Sequence, residues 1–237
     1  MIKETIIRLH KELPSTVKLV AVSKFHSFEA IEEAYAAGQR VFAESRPQEL
    51  LAKVRRLEEL RAQRGEPDHM ADVQWHFIGH LQTNKLKMVL PYVSLVQSVD
   101  SVRLLDAIQN WASADGHIVD VLLEPHVAAE DTKQGFEAEE VYEIIDRAIG
   151  YGSDCSPYGN IRFRGIMGMA TFTDDESVIR SDFAALRDIF DTCRTRFPSL
   201  GSVFTELSIG MSDDYPLAIE HGSTMVRIGS MIFGDRR

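Results

Sequence analysis

Lys24 is the residue of this chain whose position most strongly suggests chemistry. It follows residues 17–23, whose largely apolar and β-branched pattern predicts a buried parallel strand. A lysine at the carboxyl end of such a strand lies where α/β barrels carry their active sites. Desolvation at that place lowers the pKa of an ammonium group and leaves a nucleophilic amine. The alternative is a solvated lysine at a strand end, so the interpretation depends on the rest of the chain.

Small residues near the C-terminus have the composition of a phosphate site. Gly210 and Ser212 follow one predicted strand, and Gly229 and Ser230 follow the next. In (β/α)8 barrels the loops after the seventh and eighth strands commonly bind phosphate. Glycine lets the backbone approach the anion, and N–H groups and hydroxyls donate to it. The alternative is two ordinary turns in which Ser212 caps a helix.

Arg227 lies within the apolar run of residues 225–228, and a buried arginine needs a partner. In a closed barrel the eighth strand pairs with the first, which brings Arg227 and the phosphate donors beside Lys24. An amine, a phosphate clamp and an arginine for a ring nitrogen are what pyridoxal 5′-phosphate requires from a protein. The sequence therefore predicts a site for this cofactor.

Short apolar stretches separated by helical patterns predict the elements that position these residues. The predicted strands are residues 18–23, 40–42, 74–78, 93–97, 118–123, 163–167, 204–208 and 225–228. Helical periodicity covers residues 1–14, 28–38, 48–64, 101–114, 137–149 and 176–196. The alternation predicts an α/β fold, a (β/α)8 TIM barrel forming a single domain of residues 1–237 with an N-terminal helix. An open doubly wound sheet is the alternative, although no Gly-x-Gly-x-x-Gly follows the first strand.

The composition argues against several classes of partner. The 26 Lys and Arg residues are outnumbered by 36 Asp and Glu, and the formal net charge of −10 is unlike that of a nucleic-acid-binding surface. Cys155 and Cys193 are too few for a disulfide framework or a zinc site. No apolar run approaches the ~18 residues of a membrane span, and the N-terminal pattern is amphipathic rather than that of a signal peptide. We therefore expect a cytoplasmic protein, a monomer or weak dimer, with no nucleic-acid, membrane or metal partner.

Eight segments, in the same order along nearly the whole chain, carry a resemblance to a known family. They are residues 21–24, 42–49, 75–85, 96–100, 133–135, 165–167, 207–214 and 222–234. On these segments the chain resembles the small pyridoxal phosphate homeostasis proteins, single-domain relatives of the N-terminal barrel of alanine racemase.

The resemblance implies a role for each predicted site residue. Lys24 would hold pyridoxal phosphate as a reversible Schiff base, and Arg227 would face the pyridine nitrogen and keep it unprotonated. The phosphate would lie against Ser212, Gly229 and Ser230. The remaining residues expected to bind the cofactor are Ser45, His76, Met167 and Ser208.

Several positions depart from the family pattern and affect the expected ring pocket. Ala43 and Ser45 stand where relatives carry the glycine and asparagine of Gly-Glu-Asn, and His126 stands in place of a usual asparagine. Ser230 replaces a usual threonine but keeps the hydroxyl. Between the first two, Glu44 is expected to form an ion pair with Arg46.

Other residues leave two interpretations open. His80, Gln82 and Asn84 follow the third predicted strand, where they either line a pocket or begin a helix. Met169, like Met167, either lines the ring pocket or fills the core.

The resemblance implies a cofactor carrier that serves pyridoxal phosphate homeostasis and amino-acid/keto-acid balance. One alternative is an amino-acid racemase, but two-base racemisation needs a second acid/base group, commonly a tyrosine from an added β-domain. The sequence ends at Arg237, soon after the eighth predicted strand, so weak or absent racemase activity is expected. The other alternative is a barrel that binds a different phosphate and no aldehyde.

Overall fold

The computed structural model describes residues 1–129, 135–149 and 156–234. In this part of the chain, eight parallel strands form a closed barrel in sequence order, and the last strand pairs with the first. The strands are β1 (Lys18–Val22), β2 (Val41–Glu44), β3 (Gln74–Phe77), β4 (Leu95–Val99), β5 (Val119–Leu123), β6 (Ile161–Met167), β7 (Glu206–Ser208) and β8 (Met225–Ile228). The predicted (β/α)8 barrel is confirmed. Cys155 and the first two residues of the matching segment 133–135 lie outside the described residues.

One helix precedes the first strand, and the others follow the strands and cover the outside of the barrel. They are α1 (Ile2–Glu12), α2 (Phe28–Ala36), α3 (Pro47–Arg64), α4 (Leu86–Val89), α5 (Val102–Asp115), α6 (Ala138–Ile149), α7 (Glu176–Arg196), α8 (Tyr215–Glu220) and α9 (Ser230–Phe233). Two 3₁₀ turns, Thr83–Lys85 and Pro198–Leu200, precede α4 and β7. None of the helices in the described ranges is long and apolar enough to cross a bilayer.

Local sequence signals set several helix ends. Ser101 caps α5 by accepting a hydrogen bond from the N–H of Leu104, and Asp175 caps α7 in the same way through Ser177. Pro47 occupies the first turn of α3, where its missing N–H costs nothing. Gly116 ends α5 in the left-handed conformation that glycine adopts readily. These signals explain why the predicted long helices agree closely with the observed ones.

Polar residues inside strands caused the main errors in the predicted boundaries. The fourth strand was predicted as residues 93–97 but is Leu95–Val99, because Gln97 and Ser98 are buried strand residues. Gln97 Nε2 donates to Nδ1 of His76 at 2.8 Å, and Ser98 Oγ donates to the Gly79 carbonyl at 2.5 Å. The second strand was predicted as residues 40–42 but is Val41–Glu44, because the Glu44 carboxylate is buried beside a cation. The short helices α4, α8 and α9 were not predicted.

One small apolar cluster lies inside the barrel. Its buried members are Val20, Val22, Ala43, Leu95, Leu122, Met167 and Met225. At the amino ends of the strands, Lys18 pairs with Glu206, and Arg162 Nε donates to Asp120 at 2.6 Å. Charged pairs thus occupy the end of the barrel that usually serves stability, and the opposite end is where a functional site is expected.

Candidate functional site

A cavity of about 630 Å³ opens at the carboxyl ends of β1, β6 and β8. Six residues of the predicted set line it: Lys24, Met167, Ser212, Arg227, Gly229 and Ser230. Lys24 and Arg227 are far apart in sequence, but the closed barrel places β8 beside β1 in a register that pairs Ala21 with Ile228. The residues that follow each strand therefore reach the same cavity.

Side chains next to the predicted residues also line the cavity. Phe25 and His26 directly follow Lys24, and Met211 and Asp213 flank Ser212. These four residues were not predicted as site residues, although their positions beside predicted ones were a usable signal. Met169 also lines the cavity, so both methionines contribute apolar surface there.

The Lys24 backbone lies in a tight turn after β1. Lys24 itself is half-buried, and the next residue, Phe25, has a φ of +68°. Non-glycine residues adopt this left-handed conformation only when their surroundings hold them there. The turn directs the residues after β1 toward the cavity.

The loops after β7 and β8 meet around the Ser212 hydroxyl. Its Oγ lies 3.3 Å from the N–H nitrogen of Gly229 and 3.5 Å from that of Met231. These contacts are long, so an anion could accept the same N–H groups in their place. A β carbon at Gly229 would lie 3.2 Å from the Val22 carbonyl oxygen, which explains why glycine stands where the loop passes β1. Hydroxyls, backbone N–H groups and a close-packed glycine are the features of a phosphate cradle.

Arg227 is a buried cation at the base of the cavity. Its Nη1 donates to the Ser208 carbonyl at 2.6 Å and to the Ser208 hydroxyl at 2.8 Å, and its Nη2 donates to the Gly168 carbonyl at 2.8 Å. No carboxylate of the described residues forms an ion pair with it. Burial lowers the pKa of Arg227 to about 10, against the opposing charges of Glu124 and Asp214. The guanidinium is therefore still charged at neutral pH, and it lines the cavity.

Two residues of the predicted set contribute to the barrel interior. Ser208 positions Arg227 and donates to Gln97 at 2.7 Å, and Gln97 bonds in turn to His76. Burial, with a smaller contribution from the charge of Lys18, lowers the pKa of His76 to about 3, so this imidazole is neutral. His76 lines a separate cavity of about 180 Å³ at the amino ends of the strands. The structure thus places His76 in the core of the barrel.

Two residues that depart from the family pattern, Ser45 and His126, are not among the described residues that line the cavity that contains Lys24. The Ser45 backbone packs against Gly79, where a β carbon would lie 2.1 Å from the Ser45 carbonyl oxygen. The backbone N–H of His126 donates to the Phe136 carbonyl at 2.9 Å. The expected Glu44–Arg46 pair is wrong, because Glu44 pairs with Lys53 and Arg46 pairs with Glu49.

A second cavity of about 780 Å³ lies beyond β3 and β4. His80, Gln82 and Asn84 line it, which favours the pocket-lining interpretation of these residues. His80 Nδ1 lies 2.8 Å from Oδ2 of Asp100, a buried carboxylate. The described lining of this cavity includes no lysine, whereas that of the first cavity includes Lys24.

Comparison with known proteins identifies the family of this chain. The chain matches the family described as "Alanine racemase, N-terminal domain" over residues 1–237. It is 35% identical over 220 residues to the pyridoxal phosphate homeostasis protein of Aquifex aeolicus, which is 93% of this chain and 87% of that protein. The chain belongs to the pyridoxal phosphate homeostasis protein family. Another member of this family, from Escherichia coli, is 33% identical over 226 residues, or 94% of this chain and 87% of that protein.

Solved structures show that the fold of this chain occurs both inside and outside the pyridoxal phosphate homeostasis protein family. PipY of Synechococcus elongatus, solved with pyridoxal phosphate bound, superposes with a TM-score of 0.84 at 32% identity and covers 99% of this chain and 100% of its own. Alanine racemase of E. faecalis superposes with a TM-score of 0.70 at 16% identity. The match covers 99% of this chain and 57% of the racemase, and shows a shared fold.

Proposed function

We propose that this protein binds pyridoxal 5′-phosphate in the cavity that contains Lys24 and holds it by a reversible covalent bond to that lysine. In this way it would serve cofactor homeostasis and amino-acid/keto-acid balance. The observation that carries the proposal is the meeting of Lys24, Arg227 and the Ser212–Gly229 loops in one cavity. These groups come from the two ends of the chain, and only the closed barrel brings them together.

Each group matches one part of the cofactor. When bound, pyridoxal phosphate supplies an aldehyde that condenses reversibly with a primary amine and releases one water molecule. Lys24 provides the amine, and Ser212, Gly229 and Ser230 provide donors for the phosphate. Arg227, held by Ser208, is a permanent donor toward the ring nitrogen. Met167 and Met169 provide apolar surface on which a ring can pack.

The relatives support the same assignment. PipY, which is 32% identical and aligns over 99% of this chain, was solved with pyridoxal phosphate bound. The curated relatives are named pyridoxal phosphate homeostasis proteins, which favours a carrier over a committed enzyme.

The proposal includes the setting in which the protein acts. We propose that residues 1–237 act as a single domain, as a monomer or weak dimer in the cytoplasm, without a nucleic-acid or membrane partner. The net charge of −10 supports the exclusion of nucleic acid.

Absorbance and chemical trapping test the proposed function. Protein mixed with pyridoxal phosphate is expected to absorb near ~420 nm, as amine adducts of this cofactor do. Borohydride reduction followed by peptide mass spectrometry is expected to place the adduct on Lys24. Lys24→Ala should abolish the band and the adduct, and Lys85→Ala, in the 3₁₀ turn before α4, should keep both. An adduct that maps to Lys85 or to Lys133 would overturn the proposal.

A further inference from the structure

Two side chains of α3 hold the peptide groups on either side of Lys24. Lys53 Nζ donates to the carbonyl oxygen of Ser23 at 2.7 Å. The backbone N–H of Phe25 donates to Oε2 of Glu49 at 2.8 Å. Glu49 and Lys53 are about one turn apart on the helix and so lie on the same face. The backbone before and after Lys24 is therefore fixed from a single helix.

The fixed segment has a conformation that needs support. Phe25 has a φ of +68°, in the left-handed region that bulky residues seldom adopt. The N–H of His26 also donates to the Ser23 carbonyl, at 3.1 Å, which closes a tight turn around Lys24. A turn of this kind persists only where its surroundings over-determine it. The bond from Phe25 to Glu49 holds the strained residue itself.

The charge of Lys53 is matched by a fully buried carboxylate. The Lys53 side chain is 8% exposed and that of Glu44 is 0% exposed, with Nζ and Oε1 2.5 Å apart. Ser23 Oγ donates to the same Oε1 at 2.5 Å. The other oxygen, Glu44 Oε2, is buried and has no hydrogen-bond partner among the described residues. An ion pair with an unsatisfied oxygen is a poor source of stability, which points to a role beyond stability.

We propose that Glu49 and Lys53 are positioning residues for Lys24, with Glu44 as the counter-ion of Lys53. They hold the peptides on both sides of the lysine so that its amine is directed into the cavity. None of the three is among the described residues that line the cavity, so they act through the backbone rather than by touching the cofactor. This inference rests on the proposed function, which gives Lys24 its role.

The rate of cofactor attachment separates positioning from general stability. At saturating pyridoxal phosphate, Glu49→Ala is expected to slow formation of the borohydride-trappable Lys24 adduct about tenfold, the effect of losing one hydrogen bond to a charged group. Glu49→Gln keeps an acceptor oxygen for the Phe25 N–H and is expected to restore a rate close to wild type. Glu58→Ala changes an exposed residue of the same helix and is the matched control. Inorganic phosphate competes with pyridoxal phosphate and reports the phosphate loops alone. Its affinity is therefore expected to be the same in wild type and in the three variants.

The Lys53 side of the arrangement needs a double variant. Lys53→Met alone would leave the Glu44 carboxylate buried without its cation, so it is combined with Glu44→Gln to remove both charges. The double variant is expected to slow attachment in the same way as Glu49→Ala.

Two results would overturn the inference. One is attachment at the wild-type rate in both Glu49→Ala and the double variant. The other is a loss of affinity for inorganic phosphate in proportion to the slower attachment. Residues that only stabilise the fold would lower both the phosphate affinity and the attachment rate when they are replaced. Failure of the proposed function would appear in different proteins. In that case, wild type would form no Lys24 adduct, or Lys24→Ala would retain the adduct.

Discussion

Arg227 donates two hydrogen bonds to Ser208, one to its carbonyl oxygen at 2.6 Å and one to its hydroxyl at 2.8 Å. The two residues lie on neighbouring strands, β8 and β7, and both are buried. Among the described residues, Arg227 is held by neutral acceptors, the two Ser208 oxygens and the Gly168 carbonyl, and by no carboxylate. The guanidinium is thereby oriented while its charge remains available to a ligand in the cavity.

Ser208→Ala is expected to destabilise the protein. The variant removes the hydrogen bond from the Arg227 guanidinium to the hydroxyl, and it leaves Gln97 Oε1 without the hydroxyl that donates to it. The free energy of unfolding should therefore fall by about 1.5–3 kcal/mol. Urea unfolding measures this change. Ser202→Ala, at an exposed position, is the control. An equal effect of the two substitutions would show that the hydroxyl does not support Arg227.

Ser212→Ala is expected to weaken cofactor binding through the phosphate alone. A hydrogen bond to a charged group contributes roughly 1.5–3 kcal/mol, so the Kd for pyridoxal phosphate should rise about tenfold or more. Pyridoxal, which lacks the phosphate, should bind wild type and variant equally. Titration followed by absorbance measures both affinities. If Ser212→Ala and Ser230→Ala both bind pyridoxal phosphate as wild type does, the phosphate lies elsewhere.

Gly229→Ala is expected to disturb the contact between the β8 loop and β1. The new β carbon would lie 3.2 Å from the Val22 carbonyl oxygen and 3.3 Å from the Val22 β carbon, so the two segments must separate slightly. We expect a loss of about 1 kcal/mol in the free energy of unfolding and a several-fold higher Kd for pyridoxal phosphate. Gly159→Ala is the control, because among the described residues a β carbon there would approach only the Ser156 carbonyl oxygen, at 3.9 Å. Unchanged cofactor affinity in Gly229→Ala would show that the contact between Gly229 and Val22 does not support the cofactor site.

The groups at the mouth of the cavity could be predicted from the sequence because their order along the chain is informative. Lys24 ends an apolar strand, and Ser212, Gly229 and Ser230 follow the last two strands. A closed barrel has one way to bring the first and last strands together, so fold class and site follow from the same pattern.

The buried polar contacts could not be predicted, because they depend on tertiary packing. Glu44 was expected to pair with Arg46, its near neighbour in sequence. Instead, α3 turns Lys53 back under the end of β1, and the Arg46 guanidinium stacks on the Phe25 ring at 4.4 Å. His76 was expected near the cofactor, but the alternation of β3 directs it to Gln97 inside the barrel. The spacing of residues along the sequence identifies neither Lys53 as the partner of Glu44 nor Gln97 as the partner of His76.

Glu124 is expected to make stability depend on pH. It follows β5, and burial, together with the nearby charge of Asp100, raises the pKa of its carboxyl group from 4.5 to about 7, against the opposing effect of Arg227. Between these two values the folded protein binds a proton that the unfolded chain has released. The contribution of Glu124 to stability is therefore complete below about pH 4.5 and is lost as the pH rises through about 7, with ~3 kcal/mol as an upper bound.

Glu124→Gln isolates this contribution, because the amide cannot ionise. The free energy of unfolding of wild type, measured relative to the variant, is expected to fall between about pH 4.5 and about pH 8. His76, whose pKa burial lowers, acts in the opposite direction over part of this range, but it is present in both proteins and cancels in the difference. Glu58→Gln, at an exposed position of α3, should follow wild type across the range. Parallel curves for wild type and Glu124→Gln would show that Glu124 ionises in the folded protein as it does in the unfolded chain.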